Sequence, residues 1–371
     1  MRRGPDAPTV GRIIAGWEGP VAEQADHVLG LVTDPDMPTQ VGRRTAERVT
    51  DWLARRTGRS WTIDVRSDPL AAEHSSSEEL LDSVDRHRQE QGWDFAICLT
   101  DLPLLLPKGP LLADVSTQRR VALVSLPALG AIRTYHRTYR LLTQLLDDLL
   151  PDGTPPMRLG PVHRAQHDGQ VDVRYTTARL RGWVRLVSGM VRANRPWQLV
   201  WGLSSALAAA LAAAGFGLFT STVWQLGDVL SPLRALTTTV FALALMTVWL
   251  IAAHGLWERV GRRAIRDRRL ALLYNASTIT TLSLGVACLY AVVCVVSLAG
   301  ALTLIDAGVL AKMLGHSADW PTYARLAWMV ASMALIAGAL GSSLETDAAV
   351  RQAAYGYREE QRRAQHAEAK D

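Results

Sequence analysis

The chain has 371 residues, 49% of them hydrophobic, with 40 Lys and Arg against 35 Asp and Glu. That composition excludes a disordered chain, a collagen-like repeat and a disulfide scaffold. Uncharged runs of 32 and 36 residues, at 196–227 and 270–305, also exclude a one-core soluble protein, because globular helices rarely run so long.

At roughly 100–200 residues per domain the length predicts about two domains. The mean hydropathy of +0.07 averages two unlike halves. Residues 1–195 are rich in Arg, Asp and Glu, whereas 196–344 are mostly uncharged. Only Lys108, Lys312 and Lys370 are lysine, so 37 of the 40 basic residues are arginine. With abundant Ala, Gly and Val, this is the imprint of a GC-rich coding genome. No basic stripe is interleaved with stacking aromatics, so the high pI does not imply a nucleic-acid partner.

At the amino terminus Arg2 and Arg3 precede no apolar core of signal-peptide length, because Asp6, Arg12 and Glu18 interrupt it. Export by a cleaved signal is not expected. Residues 1–150 then alternate strand-like and helix-like segments. His27–Val32 is a short apolar strand, and Gln40–Arg56 has helical spacing through Val41, Ala46, Val49, Trp52 and Leu53. Ser60–Val65 reads as a strand, and Ser76–Gln91 as a helix opened by serines and closed by Gly92. Trp93–Thr100, Leu111–Val115 and Val121–Leu126 follow as strands, and Ala131–Leu150 as an amphipathic helix. This alternation predicts an α/β domain with a mostly parallel sheet.

Leu31-Val32-Thr33-Asp34-Pro35 and Cys98-Leu99-Thr100-Asp101-Leu102-Pro103 both close an apolar strand with Thr-Asp. Ligands of parallel α/β sheets bind beyond the carboxyl ends of strands. Asp34, Asp36 and Asp101, with Asp114 nearby, are therefore the candidate ligand or metal residues. Turn chemistry alone also explains Thr, Asp and Pro at such places. No Walker phosphate loop, GxGxxG fingerprint or GxSxG elbow is present. Ser125 follows a strand without a recognisable base, and His163 and His167 lack a third ligand and sit beside Pro161, Asp168 and Gly169. Cys98, Cys288 and Cys294 lie in apolar segments and read as reduced, buried thiols. No cofactor is expected.

Residues 151–195 form a connector: a Pro/Gly linker, a hairpin over His163–Thr176, and a basic amphipathic helix over Thr177–Asn194. On that helix Leu180, Val184, Val187 and Val191 share a face. Arg181, Arg185, Arg192 and Arg195 either contact anionic lipid or belong to a packed connector.

Residues 196–344 hold four stretches long enough to span a bilayer, about 197–220, 235–257, 276–304 and 322–344. None has Asp, Glu, Lys or Arg in its core, unlike most transporters and channels. His254 is expected at an interface beside Trp257. The hydroxyls of Thr237–Thr239 and Ser277–Ser283 are expected to bond helix to helix. Ala334/Gly338 and Ala337/Gly341 would let the last span pack closely, and the spans are the expected homo-oligomer surface. The loop between the second and third stretches holds Arg259, Arg262, Arg263, Arg266, Arg268 and Arg269. The positive-inside rule then puts both termini in the cytoplasm. The Asn275-Ala-Ser triplet falls at the cytoplasmic edge and is no glycosylation site. The tail, 345–371, mixes charges as a solvated helix would.

The segment Asp94–Gly130, a strand, TDLPL, then LLADVS and VALVSLPALG, loosely resembles the upstream half of archaemetzincin-like zinc peptidases. The helix that would bind their metal corresponds to Ala131–Leu150, which has no HExxH. His136 is its only histidine, and no acid follows it. The resemblance thus implies a fold and no peptidase activity. As a whole, the chain resembles membrane proteins of GC-rich actinobacteria that join a cytosolic α/β domain to four spans. The expectation is a non-enzymatic cell-membrane protein with a cytosolic sensing or partner-docking domain. The alternative is a membrane-tethered, metal-dependent hydrolase using the strand-end aspartates.

Overall fold

The computed structural model describes residues 27–68, 76–106, 109–150, 162–166, 171–177, 179–258, 265–345 and 350. The chain begins β1 (His27–Thr33), α1 (Met37–Thr57), β2 (Trp61–Ser67), α2 (Ser77–Gln91) and β3 (Phe95–Thr100). Then come β4 (Leu105–Leu106), β5 (Gly109–Ser116), β6 (Val121–Ser125), α3 (Thr134–Leu149), β7 (Val162–Gln166), β8 (Val173–Thr177) and α4 (Arg179–Ala193). Local chemistry sets the helix limits. Ser76 and Glu79 form a reciprocal capping box at the start of α2, and Gly92, at φ 68°, closes it in the left-handed conformation. Gly58, at φ 67°, ends α1 in the same way.

The strands form one sheet in the order β2-β1-β3-β6-β5-β8-β7, with β4 paired to β5. The first four strands are parallel to one another, but β5, β8, β7 and β4 add antiparallel pairs. The sheet is therefore mixed, which corrects the expectation of a mostly parallel one. The reason is the link between β5 and β6. Four residues, Thr117–Arg120, join them, and a parallel crossover needs a dozen or more. The hairpin expected at His163–Thr176 is present as β7 and β8.

Side chains alternate between the two sheet faces. Val32, Ala96, Cys98, Val121 and Leu123 pack with Leu80, Leu81 and Val84 of α2. Leu29, Leu31, Ile97, Leu99, Ala122 and Val124 pack on the other face with α1, α3 and α4. Arg44 and Arg48 of α1 lie 4.9 and 4.5 Å over the rings of Tyr135 and Tyr139 on α3.

Helix α4 packs against the α/β domain through only part of the face that its aliphatic spacing suggested: Val191 is buried and Val187 packs on the core, but the first half of the stripe does not. Leu180 and Val184 are 81% and 65% exposed, whereas Leu186 is fully buried and Met190 nearly so. The buried face runs Gly182, Leu186, Gly189 and Met190, a helical period in which glycines permit close approach. A Cβ at 189 would lie 2.2 Å from the Pro127 carbonyl oxygen, and one at 182 would lie 2.3 Å from Thr177 Oγ1.

The carboxyl-terminal half is helical. A turn at Leu199–Gly202 leads to α5 (Ser204–Leu218), α6 (Ser221–Val229), α7 (Pro232–Ala253), α8 (Ile265–Leu304), α9 (Ala307–Leu314) and α10 (Trp320–Gly341). Three stretches are long and apolar enough to cross a membrane: Pro232–Ala253, Arg268–Leu304 and Trp320–Leu344. The helical run Leu180–Gly202 and α5, bent by 53° at their junction, supply a fourth if counted together. The first stretch is thus broken at Leu203 rather than continuous over 197–220.

Helix α8 is 40 residues long, or ~60 Å, twice the ~30 Å of a bilayer core. Its first third leaves the bundle and joins the α/β domain. Leu273 is fully buried in that domain's core, with Leu270 and Tyr274 packed alongside. Asn275 is likewise buried, and its side chain exchanges two hydrogen bonds with the Glu258 backbone, at 2.8 and 3.0 Å. Asn194, just after α4, donates to Thr281 Oγ1 at 3.2 Å.

The small face of α10 is filled from within. A Cβ at Gly338 would lie 3.1 Å from the Ala206 carbonyl oxygen, and one at Gly341 would lie 2.5 Å from Ala209 Cβ. Helix α5 occupies that groove, so the groove is closed to a second copy of the chain. Glu345 then accepts from the Ser205 backbone N–H at 2.6 Å, satisfying an otherwise orphan donor at the start of α5. Of the hydroxyls expected to tie helices, Thr239 does so through Ser332 at 3.1 Å. Thr237 and Thr238 bond to the Arg234 carbonyl in their own helix. His254 is buried at the end of α7.

Candidate functional site

The order β2-β1-β3 reverses the winding direction between β1 and β3, and doubly wound sheets place ligands beyond the carboxyl ends of strands at such a reversal. Here every parallel strand ends in a hydroxyl residue: Thr33, Ser67, Thr100 and Ser125. The Thr-Asp echo of β1 and β3 has a third copy in Ser67-Asp68-Pro69 after β2. Periodicity did not draw attention to it, but the repeated hydroxyl-Asp-Pro wording would have.

Asp34 and Asp101 do come together. Asp34 is 3% exposed, and its Oδ2 accepts from Thr100 Oγ1 at 2.7 Å and from the Asp101 backbone N–H at 3.2 Å. The Asp34 N–H donates to the Leu99 carbonyl at 3.0 Å. The carboxylate thus clamps the end of β1 to the end of β3. Around it, Thr39 Oγ1 donates to the Asp34 carbonyl at 2.8 Å and lies 3.1 Å from Ser67 Oγ. Thr33 Oγ1 lies 3.0 Å from Thr39 Oγ1. Asp68 Oδ2 lies 2.9 Å from His87 Nε2 on α2.

Asp36 is exposed and sits at φ 64°, ψ −116° as the residue before α1. A non-glycine residue rarely adopts this backbone conformation. Flanked by Pro35 and Pro38, it holds a tight corner over the crevice.

Asp114 does not join this group. It is fully buried within β5, and Arg174 of β8 holds it in a fork, Nε to Oδ1 at 2.7 Å and Nη2 to Oδ2 at 3.0 Å. The hydrogen bond to Asp114 raises the Arg174 pKa further. Placing Asp114 with the strand-end aspartates is therefore corrected: its partner is an arginine on the neighbouring strand.

Other groups are used internally. Ser125 Oγ is buried and donates to the Leu102 carbonyl at 2.6 Å, which ties β6 to the segment after β3 and leaves no free nucleophile. Burial pushes the Cys98 thiol well above its usual pKa, and the charges of Asp34, Asp68 and Asp101 push it in the same direction. A thiol so held is inert. His136, the imidazole on α3, is exposed. Among the described residues, no three His, Cys, Asp or Glu side chains are grouped to hold a metal ion.

The arginines of α4 also differ from expectation. Arg192 donates to the Ala131 carbonyl, and Arg185 flanks Gly130 beside the guanidinium of Arg137. Arg181 is exposed, and Arg195 takes a left-handed backbone at φ 49° where the chain turns toward the bundle. None of the four pairs with a carboxylate among the described residues.

The carboxyl ends of the parallel strands thus carry hydroxyls and aspartates, and the buried Asp34 carboxylate is spent on joining strands. Comparison with known protein families, curated proteins and solved structures returns no match to this chain, so the site must be read from its own geometry.

Proposed function

We propose that the chain is a multi-pass protein of the plasma or inner membrane, with both termini and the α/β domain cytoplasmic. The domain senses or docks a cytosolic partner, and the spans anchor it in lipid. The observation that carries this reading is α8, a single helix that belongs to both the membrane bundle and the α/β core. An anchored but independent enzyme would need only a tether, whereas a continuous helix suits a device that couples the two halves.

Orientation rests on arginine placement. Arg268 and Arg269 stand on the part of α8 nearest the α/β domain, and Arg259, Arg262 and Arg263 lie outside the described residues. Arginine-rich connections favour the cytoplasmic side. Reporter fusions after Asp228 and Asp306 are expected to read extracytoplasmic, and those after Arg263 and Asp371 cytoplasmic. Reversal of either pair would overturn this topology. A homo-oligomer would have to use outward faces such as that of α7, where Phe241 and Val248 are more than half exposed.

The enzymatic alternative, a metal-dependent hydrolase using Asp34, Asp36 and Asp101, is separable by metal analysis of the purified full chain. The docking reading expects no stoichiometric metal. A bound equivalent that disappears in Asp34→Ala or Asp101→Ala would favour the enzyme reading instead.

A further inference from the structure

We propose that the loop Gly130–Arg133, between β6 and α3, is a docking point for the anionic phospholipid headgroups of the leaflet facing the α/β domain. This rests on the membrane reading above and adds a specific contact to it.

The position of the loop follows from α8. From Gly285 to Leu304 the helix rises ~28 Å, close to the ~30 Å apolar thickness of a bilayer. Gly285 lies against the chain where it enters the bundle. A Cβ there would be 2.9 Å from both the Pro196 carbonyl oxygen and Leu199 Cβ. The apolar boundary therefore passes near Pro196 and Gly285. Trp197 and Trp201, 54% and 80% exposed, mark the same level, as interfacial tryptophans do. Arg192, four residues before Pro196, donates to the Ala131 carbonyl. That bond sets the loop at the level of the headgroup layer, about 5–7 Å deep on each side of the apolar core.

The chemistry of the loop fits that level. Ile132 is 71% exposed at its tip. Gly130, at φ 85°, has Arg137 and Arg185 beside it; a Cβ there would be 3.3 Å from Arg137 Nη1 and 3.5 Å from Arg185 Cβ, and Arg137 Nη1 also donates to the Leu129 carbonyl at 2.5 Å. Arg133 is exposed at φ 54° and precedes α3, whose first turn has neither a side-chain cap nor an acid. Among the described residues none of these three arginines pairs with Asp or Glu. Burial and the charges of Arg185 and Arg133 lower the Arg137 pKa, so the cations repel one another in the absence of an anion. A phosphate bearing a negative charge relieves that repulsion, and bidentate arginine contacts suit it. An exposed apolar residue in a loop with neighbouring cations is also an arrangement that enters an anionic interface.

The test uses the full chain in nanodiscs, with Ile132→Cys carrying an environment-sensitive fluorophore and Cys288 and Cys294 replaced by alanine. Emission is expected to be blue-shifted in discs containing phosphatidylglycerol and water-like in phosphatidylcholine alone. High salt, or Arg133→Gln with Arg137→Gln and Arg185→Gln, should abolish the shift. Should the triple variant misfold, Arg133→Gln alone suffices, because that side chain is exposed and should reduce the shift without disturbing the fold. Water-like emission in both lipids, or the same shift in both, overturns the proposal while leaving the membrane reading intact. A chain that does not enter bilayers overturns that reading and this proposal with it.

Discussion

Asp114→Ala is expected to be among the most damaging single substitutions in the α/β domain, at about 3–5 kcal/mol, because it strands a cation in a place built for a pair. Asp114 has no exposed surface, and the Arg174 side chain is only 15% exposed. Both sit on the antiparallel strands that close one side of the sheet. Domains are stable by about 5–15 kcal/mol in total, so the purified full chain should show a large fall in the denaturant midpoint of its α/β unfolding step. The double variant Asp114→Ala, Arg174→Met should recover much of the loss, since an apolar replacement of a buried ion pair is often close to neutral. A double variant no more stable than Asp114→Ala alone would show that the loss comes from strand packing and not from the unpaired guanidinium.

The second large effect is expected at Leu273. It lies on a helix long and apolar enough to cross a membrane yet is fully buried in the core formed with Leu141, Leu145 and Leu186. Leu273→Ala removes a branched side chain from a closed site, at a cost of about 2–5 kcal/mol. Hydrogen exchange of the protein in detergent should rise in α3, α4 and the first part of α8 while the bundle end of α8 stays protected. Unchanged exchange in α3 and α4 would mean that α8 merely touches the domain, and the coupling argument would fail with it.

How much of this was readable in the sequence depends on whether the signal was local. The apolar stretches are one-dimensional properties, and the helices at Pro232–Ala253 and Trp320–Gly341 appear where hydropathy placed them. The capping serine and closing glycine of α2 are equally local. Strand pairing is not, because alternation says that a segment is a strand but not which neighbour it meets or in which direction. The four residues between β5 and β6 nevertheless carried the antiparallel answer. On α4 only the Val187 and Val191 end of the aliphatic stripe is packed, and Gly182 and Gly189, which have no side chain to score, define the face of closest approach. The Thr-Asp pattern located a strand-end site, but not that Asp34 turns inward to hold Thr100. Asp114 finds its partner sixty positions along the chain, Arg174, a match that no spacing rule anticipates.

The long helix also sets a mechanical scale. Leu273 lies twelve residues from Gly285, about 18 Å along the axis. If the rod pivots near Gly285, a 10° change in its tilt moves the buried leucine by about 3 Å, more than the ~1–2 Å helix shifts that switch packed interfaces. A lateral push on the bundle, from a neighbouring protein or a change in bilayer thickness, would thus reach the α/β core as a lever stroke. The strand-end crevice would register it as a displacement of the layer of helices on which its sheet rests.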